Sequence, residues 1–294
     1  MLQGIIINCI SNLYKVELEN NTIYTCIPRG KLKQEGLIPV VGDYVEIEID
    51  SEEKKTGSIE KVLERKNYIK RPKMANLTQI ILVLSTKMPK PDLLLLDKQL
   101  AFLEFLKIKP VICLNKIDLV KQEEIEEIEK IYSNIGYDVI KTEAKTGKIE
   151  FIKEKLKGNI TAFAGNSGVG KSTLINSIFA SNITEEGLIS IKNKKGKNTT
   201  TNITLYKIDK DTYVADTPGF STFEINEIES NNLDRYFKEF NNYLTKCEYI
   251  GCNHIKEEKC GIKEAVEDEK INLNRYNNYC KIYNQIKEKE DHRW

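Results

Sequence analysis

Asn159-Ile160-Thr161-Ala162-Phe163-Ala164-Gly165-Asn166-Ser167-Gly168-Val169-Gly170-Lys171-Ser172-Thr173 is an apolar run ending in a glycine-spaced loop, and Leu174-Ile175-Asn176-Ser177-Ile178-Phe179 follows it. The run Asn159–Ala164 reads as a buried strand and Ser172–Phe179 as a helix, which is the context a phosphate loop requires. Glycines at this spacing let the backbone curl until several N–H groups converge on phosphate oxygens. Gly165, Asn166, Ser167, Gly168, Val169 and Gly170 are therefore candidate phosphate contacts, with Thr173 closing the stretch. Lys171 supplies a point charge to the β and γ groups, and the Ser172 hydroxyl is a candidate Mg²⁺ ligand.

Two further motifs flank this loop. Upstream, Asn115-Lys116-Ile117-Asp118 follows the apolar Val111–Leu114. A carboxylate at Asp118 accepts from the N1–H and the 2-amino group of guanine together, whereas adenine presents a lone pair and no 2-amino group. A site built around such a pair rejects the wrong base by about 10⁴–10⁵, so the expected ligands are GTP and GDP, and an ATPase is disfavoured. Glu143-Ala144-Lys145-Thr146-Gly147 stands where a base-supporting loop would, with the Ala144 N–H as its expected contact. Downstream, Asp216-Thr217-Pro218-Gly219 follows a strand, which suits Asp216 to the metal's water shell and Gly219 to the γ-phosphate. Between them lies Gly196-Lys197-Asn198-Thr199-Thr200-Thr201, where Thr200, with Thr199 as runner-up, is the candidate second Mg²⁺ ligand and switch residue. The residue after Gly219 is Phe220, which cannot orient water, so slow unaided hydrolysis is expected.

The order is unusual: the base-reading motif precedes the phosphate loop. From Ile80–Leu84 onward, apolar strands alternate with helices at Asp92–Lys107, Lys121–Asn134 and Ile149–Lys157, predicting a doubly wound α/β domain over residues 73–229. Before it, Gly4–Ile10, Tyr14–Leu18, Thr22–Ile27, Asp43–Ile49 and Gly57–Leu63 are short alternating runs. They predict an all-β barrel over residues 1–72, an OB-fold first and an SH3-like barrel second. Residues 230–294 read as a helical tail carrying Cys247-x4-Cys252-x-His254-x5-Cys260. Three thiols and an imidazole within fourteen residues suit one closed, structural Zn²⁺ site, in a chain with seven cysteines and only two histidines.

The 294 residues are 40% hydrophobic and 30% charged, with a net charge of +1. That is a globular composition with no overall field toward nucleic acid, although basic runs stand at Arg65-Lys66…Lys70-Arg71-Pro72-Lys73 and Lys192–Lys197. No stretch is long and apolar enough for a membrane span, and a cytoplasmic location is expected.

The chain resembles the RsgA family of ribosome small subunit-dependent, circularly permuted GTPases. The likeness is carried by Cys26-Ile27-Pro28-Arg29-Gly30-Lys31, Val41-Gly42-Asp43, Arg71-Pro72, the rotated motifs, the Cys/His cluster and Arg275-Tyr276…Tyr279. It implies an N-terminal OB-fold, a permuted GTPase core and a C-terminal zinc-binding helical domain. It also implies late maturation of the small (30S) subunit, contact with 16S rRNA, subunit-stimulated GTP hydrolysis and a monomeric protein. Asn198 stands where the family usually has a histidine associated with hydrolysis. Asn198 can orient water but cannot take its proton. A large-subunit assembly GTPase and a nucleotide-gated RNA-binding module are the alternatives.

Overall fold

The computed structural model describes residues 1–34, 36–143, 149–182, 203–216 and 227–292. In chain order these form β1 (Leu2–Ile10), β2 (Leu13–Leu18), β3 (Ile23–Pro28), α1 (Gly30–Gln34), β4 (Tyr44–Ser51), β5 (Thr56–Val62), β6 (Tyr68–Lys70) and β7 (Lys73–Ala75). Next come β8 (Gln79–Ser85), α2 (Leu93–Phe105), β9 (Lys109–Asn115), α3 (Gln122–Ser133), β10 (Asp138–Thr142), α4 (Glu150–Leu156) and β11 (Ile160–Ala164). The remainder are α5 (Lys171–Asn182), β12 (Thr204–Asp209), β13 (Thr212–Asp216), α6 (Gly261–Glu267) and α7 (Leu273–Asp291). The chain divides into two units, drawn from Met1–Ile81, Ala144–Ala164 and Lys171–Ser221, and from Leu82–Glu143, Gly165–Gly170 and Thr222–Trp294.

In the first unit β1 pairs with β2, β2 with β3, β3 with β5, β5 with β4, and β4 back with β1, closing a five-stranded barrel. The β3–β5 pair is parallel and the others antiparallel, the OB-fold arrangement expected from the strand spacing. Alternation places Ile6, Val16, Cys26, Val45, Ile47 and Ile59 in the barrel interior, each fully buried. The same unit holds β11 beside β13 in parallel, and β12 beside β13 as an antiparallel hairpin whose second strand is the one expected before Asp216. The barrel is joined to that hairpin: β1 pairs antiparallel with β12, and Asn8 Nδ2 donates to the Ile203 carbonyl (3.2 Å) and to Thr204 Oγ1 (2.8 Å). Glu17 reinforces the junction by accepting from Lys207 Nζ (3.3 Å) and from the Tyr213 hydroxyl (3.0 Å).

The hairpin β6–β7, two strands of three residues, lies across the boundary expected near residue 72 and is additional to the five predicted strands. Its inner residues Ile69 and Met74 are buried, and a parallel bridge links Met74 to Val41. Gly42 makes this approach possible: its φ is +91°, and a Cβ would lie 2.1 Å from the Ala75 carbonyl oxygen.

The second unit carries β9 and β10 in parallel register, with β8 beside β9. Every residue of β8 is buried, as a strand covered on both faces requires. Beyond Ser230 the tail departs from simple helices. Three short 3-10 turns, Ser230–Tyr236, Lys238–Asn242 and Leu244–Lys246, precede α6 and α7.

Candidate functional site

β11 leads directly into the phosphate loop. Gly165 has φ +138°, and a Cβ there would lie 2.2 Å from the Val83 carbonyl oxygen. Gly170 has φ +102°, and a Cβ would lie 2.3 Å from Asn115 Nδ2. Both positions therefore demand glycine. Ser167 and Gly168 are exposed while Val169 is buried beneath them. α5 begins at Lys171, with Ser172 and Thr173 exposed on its first turn, where backbone N–H groups have no intrahelical acceptor. Burial pushes the Lys171 ammonium below the ordinary lysine range, and a polyphosphate beside it would favour the charged form.

Asn115 ends β9 and is buried. Its Nδ2 donates to the Val169 carbonyl (2.8 Å), and its Oδ1 accepts from Thr142 Oγ1 (3.0 Å). The side chain thus staples the base-reading loop to the phosphate loop. Lys116 sits at φ +62° and lays its ammonium on the carbonyls of Gly168 (2.7 Å) and Met88. Thr86 fixes the backbone here, its Oγ1 donating to the Lys116 carbonyl (2.7 Å) and its N–H to that of Asn115 (3.1 Å). Two residues on, Asp118 lies exposed in the 3-10 turn Ile117–Leu119 and bonds to none of the described residues. Its carboxylate is left free to accept two N–H groups from a guanine edge.

Asn166 Nδ2 donates to Asp92 Oδ2 (3.3 Å), and Asp92 Oδ1 caps α2 by accepting from the Leu95 N–H (3.0 Å). Asp216 is the half-buried last residue of β13. Ala144, Asn198, Thr199, Thr200, Gly219 and Phe220 lie outside the described residues.

The predicted metal ligands converge. The ligating atoms of Cys247, Cys252, His254 and Cys260 all lie within 4.8 Å of one another. Cys247 Sγ is 3.5 Å from His254 Nδ1 and 4.0 Å from Cys260 Sγ. Four soft donors at these separations fit a tetrahedral ion with metal–sulfur bonds near ~2.3 Å and metal–nitrogen bonds near ~2.0 Å. The other ring nitrogen, Nε2, faces Asp234 Oδ2 at 3.4 Å, the outer carboxylate that orients metal-bound imidazoles. Burial alone would raise the Cys260 thiol, but hydrogen bonds from His254 and from the N–H groups of Lys263 and Ile262 pull it down to about 7. A thiolate is the form a metal takes.

The loop between these ligands is held from outside. Glu257 accepts the N–H groups of Asn253, Ile255 and Lys256 at 2.9–3.0 Å. From α7, the Tyr276 hydroxyl donates to the His254 carbonyl (2.8 Å) and the Tyr279 hydroxyl to that of Asn253 (2.9 Å).

Arg275, beside these tyrosines, is the residue whose role the sequence conceals. It is 2% exposed and binds Glu239 through two nitrogens (2.7 and 2.8 Å) and Asp97 of α2 through a third (2.5 Å). Tyr132 and Asn278 complete the shell of Asp97 at 2.9 and 2.7 Å. Only the grouping Arg275-Tyr276…Tyr279 hinted at this, and its partners are remote in sequence.

Comparison with known proteins accounts for almost the whole chain. The RsgA N-terminal domain model matches residues 3–59 and the RsgA GTPase model residues 62–226. The small ribosomal subunit biogenesis GTPase RsgA of Clostridium beijerinckii is 43% identical over 295 residues, covering 100% of both chains. Its namesake in Ruminiclostridium cellulolyticum is 41% identical over 290 residues, 98% of this chain and 95% of that one. Among solved structures, YjeQ from Thermotoga maritima is 41% identical and superposes with a TM-score of 0.85, covering 97% of this chain and 98% of that one. YloQ, described as a circularly permuted GTPase, is 33% identical with a TM-score of 0.82 over 98% and 96%. With its rotated motif order and phosphate loop, the chain belongs to the RsgA GTPase family and is a GTP-hydrolysing enzyme of circularly permuted fold.

Proposed function

We propose that this GTPase acts in the cytoplasm on the small ribosomal subunit, as a monomer, timing a late maturation step by its nucleotide state. Relatives about 40% identical over their full length carry small-subunit biogenesis in their names. The observation that carries the nucleotide half of this reading is the free Asp118 carboxylate. It is held next to a phosphate loop to which Asn115 and Lys116 are hydrogen-bonded.

In this reading Gly165–Gly170, Lys171, Ser172 and Thr173 hold the phosphates, Asp118 and Ala144 the base, and Asp216 and Gly219 the γ-phosphate end. Ser172 and Thr200 would hold Mg²⁺, which neutralises charge on the β and γ oxygens. Asn198 would orient the attacking water without accepting its proton. Cys247, Cys252, His254 and Cys260 would hold one structural Zn²⁺. Functional boundaries near residues 72 and 229 separate an RNA-facing barrel, the GTPase core and the zinc-bearing tail, with 16S rRNA as the contacted surface.

The test is GTP turnover by purified protein alone, with small subunits and with large subunits. Small subunits should accelerate turnover by at least 100-fold, and large subunits should not. Equal stimulation by both, or by large subunits alone, would overturn the proposal.

A further inference from the structure

Helix α2 is tied at two points, and each tie leads to a different functional element. At its N-terminus the Asp92 carboxylate divides its oxygens. Oδ1 accepts the Leu95 N–H (3.0 Å) and caps the helix, while Oδ2 accepts from Asn166 Nδ2 of the phosphate loop (3.3 Å). Asp97 follows five residues on, about 7.5 Å along the helix axis, and is the one charge among the buried residues of α2. It takes Arg275 on one oxygen and Asn278 on the other, both from α7. Lys98 adds a further tie to α7 by donating to Gln285 (3.0 Å).

On α7, Arg275 directly precedes Tyr276 and stands four residues before Tyr279. Those two hydroxyls hold the His254 and Asn253 carbonyls inside the metal-ligand loop. Contacts therefore run unbroken from Asn166 to Asp92, along α2 to Asp97, across to Arg275, and through Tyr276 to the backbone of His254. All of these residues belong to the second unit.

The two ends of α2 differ in stiffness. The side chains of Asp97 and Arg275 are 0% and 2% exposed, and the guanidinium lies 4.8 Å from the centre of the Phe237 ring. Removing either charge would strand the other, so this joint fixes one register between the helices. At the N-terminal end, Asp92 and Leu95 of α2, Gly165 and Asn166 of the loop, and Ser85 of β8 line a cleft of about 310 Å³. The buried Ser85 hydroxyl finds no hydrogen-bond partner there among the described residues. Packing does not fill this space, and the Asp92–Asn166 bond is a polar tie between its walls. A helix locked to the tail at one end, with room to shift at the other, carries the tail's position to the phosphate loop.

We propose that α2 couples the nucleotide and metal sites, with Asp92 and Asp97 as the positioning residues at its two ties. A nucleotide that fixes Asn166 holds Asp92, then the register of α2 against α7, and so the tyrosines that brace the His254 loop. Such coupling is reciprocal: the factor by which nucleotide tightens zinc is the factor by which zinc tightens nucleotide. The proposal rests on the nucleotide and zinc readings above and adds the route between them.

The experiment is a competition for zinc between the full-length, zinc-loaded protein and a zinc-selective chelator in excess Mg²⁺. It is run without nucleotide, with saturating GDP, and with ATP, which controls for zinc taken up by free phosphates. In wild type GDP should tighten zinc by about 5-fold or more, the lower end of usual coupling between sites. Asp92→Ser keeps a capping oxygen for Leu95 but drops the one that holds Asn166. It should still bind GDP and zinc, with the GDP-dependent shift cut below about 2-fold. Arg275→Lys exchanges a fork that bridges two carboxylates for a single point charge and should lose the shift likewise; if it does not fold, Asp92→Ser decides alone. A merely structural α2 would lower the melting temperature of the variants and leave the shift intact, which would overturn the proposal. A full shift in Asp92→Ser would route the coupling through the chain between Asp216 and Ser230 instead. A wild-type shift no larger with GDP than with ATP would also overturn it. If wild type holds no zinc or binds no GDP, the reading of the sites themselves fails, and the coupling fails with it.

Discussion

The amide of Asn115 and the carbonyl of Val169 lie 2.8 Å apart across 54 residues of sequence. The residue that opens the motif is thus spent on the phosphate loop, and in the proposed site it is the Asp118 carboxylate that would meet the purine. Replacing the amide strands the Val169 carbonyl and loses the acceptor for Thr142, each buried polar group costing about 1–3 kcal/mol. Asn115→Ala should weaken GDP and GTP alike, by about 10–100-fold. Titration with fluorescent nucleotides checks this, and unequal losses for the two would argue against a staple common to both.

Asp118→Asn changes what the exposed turn offers to a base. An amide presents one acceptor and one donor group where the carboxylate presented two acceptors, so guanine's 2-amino group loses its partner while xanthine's 2-carbonyl gains one. GTP affinity should fall by about 100-fold or more, with xanthosine triphosphate becoming the better competitor. A competition assay with the two nucleotides reads the switch directly.

Arg275→Met leaves the Asp97 and Glu239 carboxylates buried without their cation, a change that typically costs about 3–5 kcal/mol. Burial already raises the Asp97 carboxyl, against the lowering pull of Arg275, Asn278 and Tyr132. Removing Arg275 lets it rise further. A carboxyl whose folded pKa exceeds its unfolded one costs stability above the folded value, and the cost fades as pH falls toward the unfolded value. The variant's melting temperature should therefore lie well below wild type at pH 7, with a smaller deficit at pH 5. A deficit independent of pH would assign the loss to packing against Phe237 and Tyr132 instead.

Wild-type protein should carry about one zinc per chain by atomic emission, and Cys252→Ser close to none. Tyr279→Phe keeps all four ligands but removes the hydrogen bond to Asn253, worth about 1 kcal/mol. It should release zinc to a chelator several-fold more readily while keeping full metal content at rest. Wild-type release kinetics would mean that α7 does not brace the loop.

The barrel and the permuted core were legible because their signals are local. Five runs of alternating residues lie within 62 residues of chain, and an apolar strand runs straight into glycines that tolerate no side chain. The Cys/His spacing was equally local, and the structure brings those four ligands together. The hairpin β6–β7 was not legible, since three-residue strands are too short to show a period. Nor was the Arg275 cluster: a guanidinium on α7 meets a carboxylate 178 residues earlier, and nothing in either neighbourhood announces the other. The inward turn of Asn115 was hidden for another reason. The motif identifies residues that cooperate without saying which of them touches the ligand.

The pairing of β1 with β12 also constrains how a ribosome can make this chain. The closing contact of the barrel, Leu2 against Ile47, needs only the first strands. The partners of Asn8 at Ile203 and Thr204 emerge some 195 residues later. At ~5–20 residues per second, roughly 10–40 s pass before that amide exchanges water for its final acceptors. The Asn8 end of the first barrel strand therefore waits at the surface of the nascent chain, its edge open, until residues 203 and 204 have been made.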